Sequence, residues 1–309
     1  MKRERAVLQK NRTENTHRHE DLRAGDRRKG ILFILLAAFF FSMMSVFVRL
    51  SGDVPTMQKA FFRNIVAAAV AWGILFRSGE KISAVIQRKN LPVLLLRSIF
   101  GTAGILANFW AVDHLGIADA NMLNKLSPFF AILMSIFILG EMPNRIEWLS
   151  VLLAFIGAAF VAKPSAGIAS VPALVGIFGG FAAGTAYTYV RKLGLQGVKG
   201  PAVVAFFSTF STLVLLPNLV LNFSPMSVRQ VLFLLLAGCS AAGGQLTITT
   251  AYQHAPARDI SVFDYSQVVY AALLGILLFG ELPDPWSVVG YVIIIGTAFA
   301  KWYLVTHNH

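Results

Sequence analysis

The stretch Ile138–Pro143 reads ILGEMP, and the stretch Leu278–Pro283 reads LFGELP. Each stretch closes a long apolar run, and the corresponding residues lie 140 positions apart. Glycine commonly ends a helix, glutamate marks the boundary with water, and proline begins the next turn. The two stretches therefore predict two equivalent helices that end at Gly140 and Gly280.

The same separation relates other parts of the two halves. Residues that match across it are Gly104 with Gly244, Ala111 with Ala251, His114 with His254 and Asp119 with Asp259. Further along, Trp148–Lys163 still resembles Trp286–Lys301 after a small change of register. The pattern is typical of an old internal duplication, and it predicts a first repeat over 30–163 and a second over 164–305.

The composition is that of a membrane protein. Of the 309 residues, 56% are hydrophobic and 14% are charged, whereas a soluble domain is about half apolar and a quarter charged. Apolar runs of about 20 residues, enough to cross the hydrocarbon core as helices, lie near 30–50, 57–77, 91–112, 118–139, 146–163, 172–191, 201–222, 229–251, 259–279 and 286–305. The sequence predicts an all-α polytopic membrane protein with ten transmembrane helices. Because each repeat has an odd number of spans, the two five-helix repeats are inverted relative to each other.

The cations predict the direction of the spans. The net charge is +12, but the basic residues crowd residues 1–29 and alternate joints, as membrane topology requires, so we expect no nucleic-acid partner. If the N-terminus lies in the cytoplasm, the joints on the outer side carry three cations, Arg49, Lys163 and Arg229, and most of the others lie on the inner side. We therefore expect a multi-pass protein of the cell (inner) membrane, with both termini cytoplasmic. Residues 1–29 are expected to form a disordered basic tail and 306–309 a short tail; a homodimer is left open.

Two inverted halves supply two nearly equal packings around a site near the membrane midplane, which is the design of alternating access. The segments SPFFAILMSIFILGEMP (Ser127–Pro143) and YSQVVYAALLGILLFGELP (Tyr265–Pro283) resemble the drug/metabolite transporter superfamily, and within it the EamA-type permeases. The resemblance covers roughly Gly30 to Tyr303. It implies a secondary carrier, expected to export small polar or amphipathic metabolites such as amino acids or amines. It also implies a central cavity lined largely by the third, fourth, eighth and ninth spans.

Polar side chains inside the spans are the candidate site, because they are costly in lipid and point to function by default. In the fourth span Asn121, Asn124 and Lys125 share one helical face. The 140-residue separation relates Lys125 to Tyr265 and Asn124 to Asp264 in the ninth span. We expect Lys125 and Asp264 to face one cavity, to pair with each other, and to contact a zwitterion when the carrier is loaded. A purely structural ion pair is the alternative.

Other candidate ligands are spread over four spans. They are Gln267 and Tyr265 in the ninth, Gln245 and Tyr252 in the eighth, Asn108 and Trp110 in the third, and Arg63 in the second. Each of them, taken singly, is also explained by a hydrogen bond between helices. Arg97 is nearer the end of its span, and we expect it to snorkel to the surface.

The sequence shows no catalytic constellation, metal-ligand spacing or nucleotide loop, so we expect no cofactor and no enzyme activity. A membrane-embedded enzyme would need paired acids or a metal cluster. Within the carriers, an organic-anion or nucleotide-sugar-like exchanger remains an alternative, since Lys125 and Arg63 suit an anion. The expected partners are a small-molecule solute and the lipid bilayer.

Overall fold

The computed structural model describes residues 28–79, 87–115, 117–140, 142–162, 170–254 and 261–307. These residues form ten helices. Their bounds are α1 Arg28–Leu50, α2 Thr56–Arg77, α3 Leu91–His114, α4 Ile117–Leu139, α5 Arg145–Ala162, α6 Val171–Leu195, α7 Gly200–Leu221, α8 Val228–His254, α9 Ser266–Phe279 and α10 Pro285–His307. A 3₁₀ turn over Ser261–Tyr265 leads into α9. The predicted tail, up to residue 27, lies outside the described residues.

Eight of the ten helices are long and apolar enough to cross a membrane. The other two are α5, with 18 residues, and α9, which is apolar but shorter. Large apolar side chains, among them Phe137 and Leu221, stand exposed on the helix exteriors. Such surface is stable against lipid and unfavourable against water. The prediction of an all-α polytopic membrane protein is confirmed.

The two helices that carry the repeated GE-P stretch end as their sequences predict. α4 ends at Gly140 with a φ of 70°, and α9 ends at Gly280 with a φ of 66°. Both angles lie in the left-handed region, which glycine adopts without steric cost and which closes many helices. The repeated GE-P stretch therefore encodes the same helix stop twice.

Glycines also show how the two halves interlock. A Cβ built on Gly104 of α3 would lie 3.2 Å from the backbone nitrogen of Ala183 on α6, and one built on Gly244 of α8 would lie 2.7 Å from the Phe41 ring on α1. Small residues at these positions let the helices approach closely. Since α1 and α6 open the two halves, equivalent glycines receive the equivalent helix of the other half.

The closing helices of the two halves, α5 and α10, meet at their backbones. A Cβ on Gly157 would lie 3.0 Å from the carbonyl oxygen of Gly290, and a Cβ on Gly290 would lie 2.6 Å from that of Gly157. The pairs α3–α6 and α2–α7 are packed still more extensively. Buried polar and charged side chains lie on α1, α2, α3, α4 and α9, among them Ser42, Arg63, Arg97, Lys125 and Gln267.

Candidate functional site

The helical path of α4 breaks at the predicted site. The first half, Ile117–Asn124, ends in a turn at Lys125 and Leu126, and a new helical segment starts at Ser127. Pro128 contributes to the break because it has no amide to donate to the carbonyl one turn earlier. In α9 the change from 3₁₀ turn to α-helix falls at Tyr265, the position equivalent to Lys125. Interrupted helices of this kind form the binding sites of many transporters.

The two breaks are joined by an ion pair. The Lys125 ammonium donates to Oδ2 of Asp264, and the two residues are 5% and 8% exposed. The Tyr265 hydroxyl donates to the backbone carbonyl of Lys125 over 3.1 Å. The other carboxylate oxygen of Asp264, Oδ1, is buried and has no hydrogen-bond partner among the described residues. The sequence-based expectation that Lys125 and Asp264 meet therefore agrees with the structure, while their contact with a solute remains a prediction.

A second layer of hydrogen bonds ties the site to α1. The amide of Gln267 donates to Oδ1 of Asn121 over 2.6 Å, and Asn121 in turn donates to the carbonyl of Ile117 over 2.8 Å. Ser42 donates to the carbonyl of Gln267 over 3.0 Å, and Ser45 lies 3.3 Å from the Asn121 amide group. All four side chains are buried. They fix the orientation of α4 and α9 against α1, so the network positions the ion pair.

Three further predicted residues lie on α4 and α8. Asn124 is half-buried and precedes the break in α4, and Gln245 is half-buried on α8. The side chain of Tyr252 lies outside the part of the chain that the structure describes. A solute contact by any of these three remains a prediction.

The two candidates on α3 face different surroundings. Asn108 is buried where α3 packs against α6, with its backbone nitrogen 3.4 Å from a Cβ built on Gly179. Trp110 stacks on His114 of the same helix, with ring centroids 3.9 Å apart. Both arrangements are explained by packing, and ligand binding by either residue remains a prediction.

Arg97 contradicts the expectation that it snorkels. It is 4% exposed, and its guanidinium carbon lies 3.6 Å from the centroid of the Phe207 ring on α7. A Cβ at Gly101 would lie 2.7 Å from the Arg97 Nη1 atom and 2.8 Å from the same ring, so glycine leaves the room for this stacking. The cation–π contact and the open position at residue 101 hold the side chain inside the bundle. Arg63, 2% exposed, lies 5.8 Å from the ring centroid and donates to Asn64 over 2.6 Å.

Tyr187 on α6 connects the arginines to the ion pair. Its phenol interacts electrostatically with Asp264, Arg97 and Arg63. The residue is 39% exposed although it lies among these groups. α6 itself packs against α3, which carries Arg97, and against α4, which carries Lys125, so the arginines and the ion pair border the same helix.

Glu281 of the second GE-P stretch makes specific contacts and is not merely a boundary marker. Its carboxylate accepts from Arg49 of α1 over 3.0 Å and from the backbone amide of Ile117 over 2.8 Å. Arg49 also donates to the carbonyl of Val112. We call the contacts of Glu281 with Arg49 and with the amide of Ile117 the clasp. A cavity of about 250 Å³ lies beside it, and its lining includes Glu281, Asp119 and Tyr291. These contacts lie at the end of the bundle at which α1 ends and α4 begins.

Sequence reasoning missed the groups that surround the ion pair. Ser42 and Ser45 could have been predicted to face other helices, since two hydroxyls three residues apart on an apolar helix share one face. Phe207 and Tyr187 could not, because aromatic residues are common throughout these spans. Within the described residues no group of three His, Cys, Asp or Glu side chains is suited to hold a metal ion.

Comparison with known proteins gives consistent matches. A model of the EamA-like transporter family matches residues 28–163 and 171–300. The chain is 32% identical over 277 residues to the pseudopaline exporter CntI of Pseudomonas aeruginosa, which covers 88% of this chain and 95% of the relative. It is 27% identical over 300 residues to solute carrier family 35 member G1 of Homo sapiens, covering 89% and 80%. A crystal structure with 17% identity superposes with a TM-score of 0.66 over 92% of this chain and 100% of that one, a likeness in fold.

Proposed function

Because this chain belongs to the EamA-like transporter family, we propose that it is a secondary active transporter that exports a small polar or amphipathic metabolite by alternating access. Amino acids and amines are the expected solute class. The observation that carries the proposal is the buried Lys125–Asp264 pair, held between interrupted helices of the two halves. The relative that is named an exporter supports the outward direction.

The ion pair supplies both charges that a zwitterion needs. A solute carboxylate replaces Asp264 at the Lys125 ammonium, and a solute amine replaces Lys125 at the Asp264 carboxylate. The unbonded Oδ1 of Asp264 is an additional acceptor for the amine. Exchange of partners of this kind keeps each buried charge compensated, which avoids the cost of an isolated charge in the bundle.

Access is controlled at the clasp formed by Arg49 and Glu281. The contact joins α1 of the first half to the end of α9 in the second half, so the halves must separate there before that end opens. In the topology that the cations favour, with both termini cytoplasmic, the clasp faces the outside of the inner membrane. The conformation described is then closed outward, and release of the clasp is the export step.

We further propose that Asp264 couples export to protons, since it is a carboxylate enclosed within a span. Protonation would release the cation that Asp264 holds, Lys125 in the empty carrier or the amine in the loaded one, which links the charge of the site to its occupancy. The same carboxylate serves solute recognition, so the response of the wild type to a pH gradient is the measurement that isolates the coupling.

The test begins with a thermal-shift screen of the purified protein against amino acids and amines, because a ligand of the native state raises its stability. The ligand found is then measured by counterflow in proteoliposomes, with and without a pH gradient. We expect Asp264→Asn to abolish gradient-driven flux, and Asp53→Asn, at an exposed aspartate in the turn after α1, to keep it. Full flux in Asp264→Asn, or indifference of the wild type to the gradient, refutes the coupling. Absence of counterflow by every ligand found refutes the transport function.

A further inference from the structure

Two buried arginines lie at the same aromatic ring in the bundle, without an acidic partner among the residues that the structure describes. Arg63 and Arg97 lie 5.8 Å and 3.6 Å from the centroid of the same Phe207 ring. Among the described residues, Nε of Arg63 and both Nε and Nη1 of Arg97 have no hydrogen-bond acceptor. Buried guanidinium groups are normally paired, because an uncompensated charge in a low-dielectric interior is strongly unfavourable.

The described acids Asp264 and Asp113 are engaged with lysines. Asp264 pairs with Lys125, and Asp113 is held by two hydrogen bonds from Lys59, of 2.7 Å and 2.8 Å. The face of Phe207 offsets part of the two positive charges, but an aromatic ring accepts no conventional hydrogen bond from their edges. The cluster therefore presents several N–H donors and a positive charge to a ligand.

The donors are held in place before any ligand arrives. Asn64 fixes Arg63 by accepting from its Nη1, and the Asn64 amide is itself anchored on the carbonyl of Ala60 over 2.9 Å. Arg97 lies over the Phe207 ring in the space that Gly101 leaves. A planar guanidinium that is already oriented loses little freedom when it binds the two oxygens of a carboxylate.

We propose that Arg63, Arg97 and the face of Phe207 form a carboxylate subsite of the transport pathway, next to the Lys125–Asp264 pair. The inference rests on the proposed transport function and specifies its solute: an amino compound that carries at least one carboxylate beyond the one that Lys125 takes. Tyr187, whose phenol is within electrostatic reach of both arginines and of Asp264, lies on α6, the helix that packs against both α3 and α4. Such a solute occupies both clusters at once.

The experiment compares ligands that differ only in the second carboxylate. The purified full-length protein, in a neutral detergent, is titrated with L-glutamate and with its amide isostere L-glutamine, and separately with iminodiacetate and citrate, and binding is measured by thermal stabilisation. We expect wild-type protein to bind glutamate about tenfold more tightly than glutamine or better, the factor expected for one charge-assisted contact. Arg97→Gln and Arg63→Gln should each remove most of this difference. The control Arg77→Gln, at an exposed arginine that ends α2, should keep it.

Three results overturn the proposal. The first is equal binding of L-glutamate and L-glutamine by the wild type, and the second is no stabilisation by any of the carboxylates. The third is an unchanged preference for L-glutamate over L-glutamine in both Arg63→Gln and Arg97→Gln. Where Arg97→Gln does not remain monodisperse, Arg97→Lys takes its place; it keeps the charge and loses the planar fork. Part of the discrimination should then be lost, and its full retention also counts against the subsite.

A lipid head group is the other source of an anion in this setting. Phosphatidylglycerol added to the detergent solution should stabilise the wild type and Arg97→Gln equally; stabilisation by this lipid that depends on Arg97, without any response to carboxylates, overturns the proposal. Counterflow distinguishes a failure of the carboxylate subsite from a failure of the transport function. If the solute moves at wild-type rate and KM in Arg97→Gln, the subsite is wrong and the transport function stands. If carboxylates bind through the arginines and no solute moves, the transport function is wrong, and the arginines form a carboxylate-binding site without a place in a transport pathway.

Discussion

Replacing Asp264 with asparagine removes one charge of the central pair and leaves Lys125 charged inside the bundle. Both residues are buried, at 8% and 5% exposure, so water cannot take over the role of the lost carboxylate. Breaking a buried pair in this way costs about 3–5 kcal/mol. The asparagine oxygen still accepts one hydrogen bond from Lys125, which places the expected loss near the lower end, at about 3 kcal/mol. That corresponds to more than a hundredfold change in the unfolding equilibrium.

Unfolding of the purified variants in mixed micelles of increasing denaturing detergent measures this loss, with Asp53→Asn as the matched control. The double variant Lys125→Met with Asp264→Leu sharpens the test. Removing both charges in favour of apolar side chains of similar size is often neutral or stabilising, so we expect its stability to return to the wild-type level or above. Its counterflow activity should nevertheless be lost, because neither charge remains for the solute.

Two outcomes would refute this reasoning. If Asp264→Asn unfolds at the wild-type midpoint, the pair contributes no compensation in the native state. If the double variant transports at the wild-type rate, the pair is structural and the solute binds elsewhere.

Further predictions concern other parts of the bundle. Gly290→Ala should lose about 1–3 kcal/mol of stability, because its Cβ would lie 2.6 Å from the carbonyl oxygen of Gly157, whereas Gly296→Ala, with no heavy atom within 4 Å of its Cβ, should lose none in the same unfolding assay; equal losses would contradict the close approach. Tyr265→Phe should lose about 1 kcal/mol through its hydrogen bond to the Lys125 carbonyl, and an unchanged unfolding midpoint would show that this bond adds nothing. Glu281→Gln should cost less than about 1 kcal/mol, since its ion pair is partly exposed, yet it should raise maleimide labelling of a cysteine placed at Ala118, in the cavity beside the clasp, in a Cys239→Ser background; unchanged labelling would mean that the contact does not hold this end closed.

Features set by local sequence or by the internal repeat were predictable. The helix stops at Gly140 and Gly280 follow from backbone preference alone, and both appear with a left-handed φ. The meeting of Lys125 and Asp264 followed from the repeat, because equivalent spans of two inverted halves approach each other at equal depth. The eight long apolar helices followed from composition.

Features set by one helix acting on another were not predictable. The burial of Arg97 depends on the Phe207 ring of α7 and on the open space at Gly101, and neither is readable from the sequence around Arg97. The contact of Glu281 with Arg49 joins residues 232 positions apart that the repeat does not relate.

The glycine contact between α5 and α10 restricts where the protein can move. Backbone touches backbone there, so no layer of flexible side chains can reshape to absorb sliding. We expect the contact between α5 and α10 to stay fixed during transport, while the other helices move. A synthetic binder that contacts both α5 and α10 should therefore leave the transport rate unchanged. A binder that holds α2 and α7 together should stop transport.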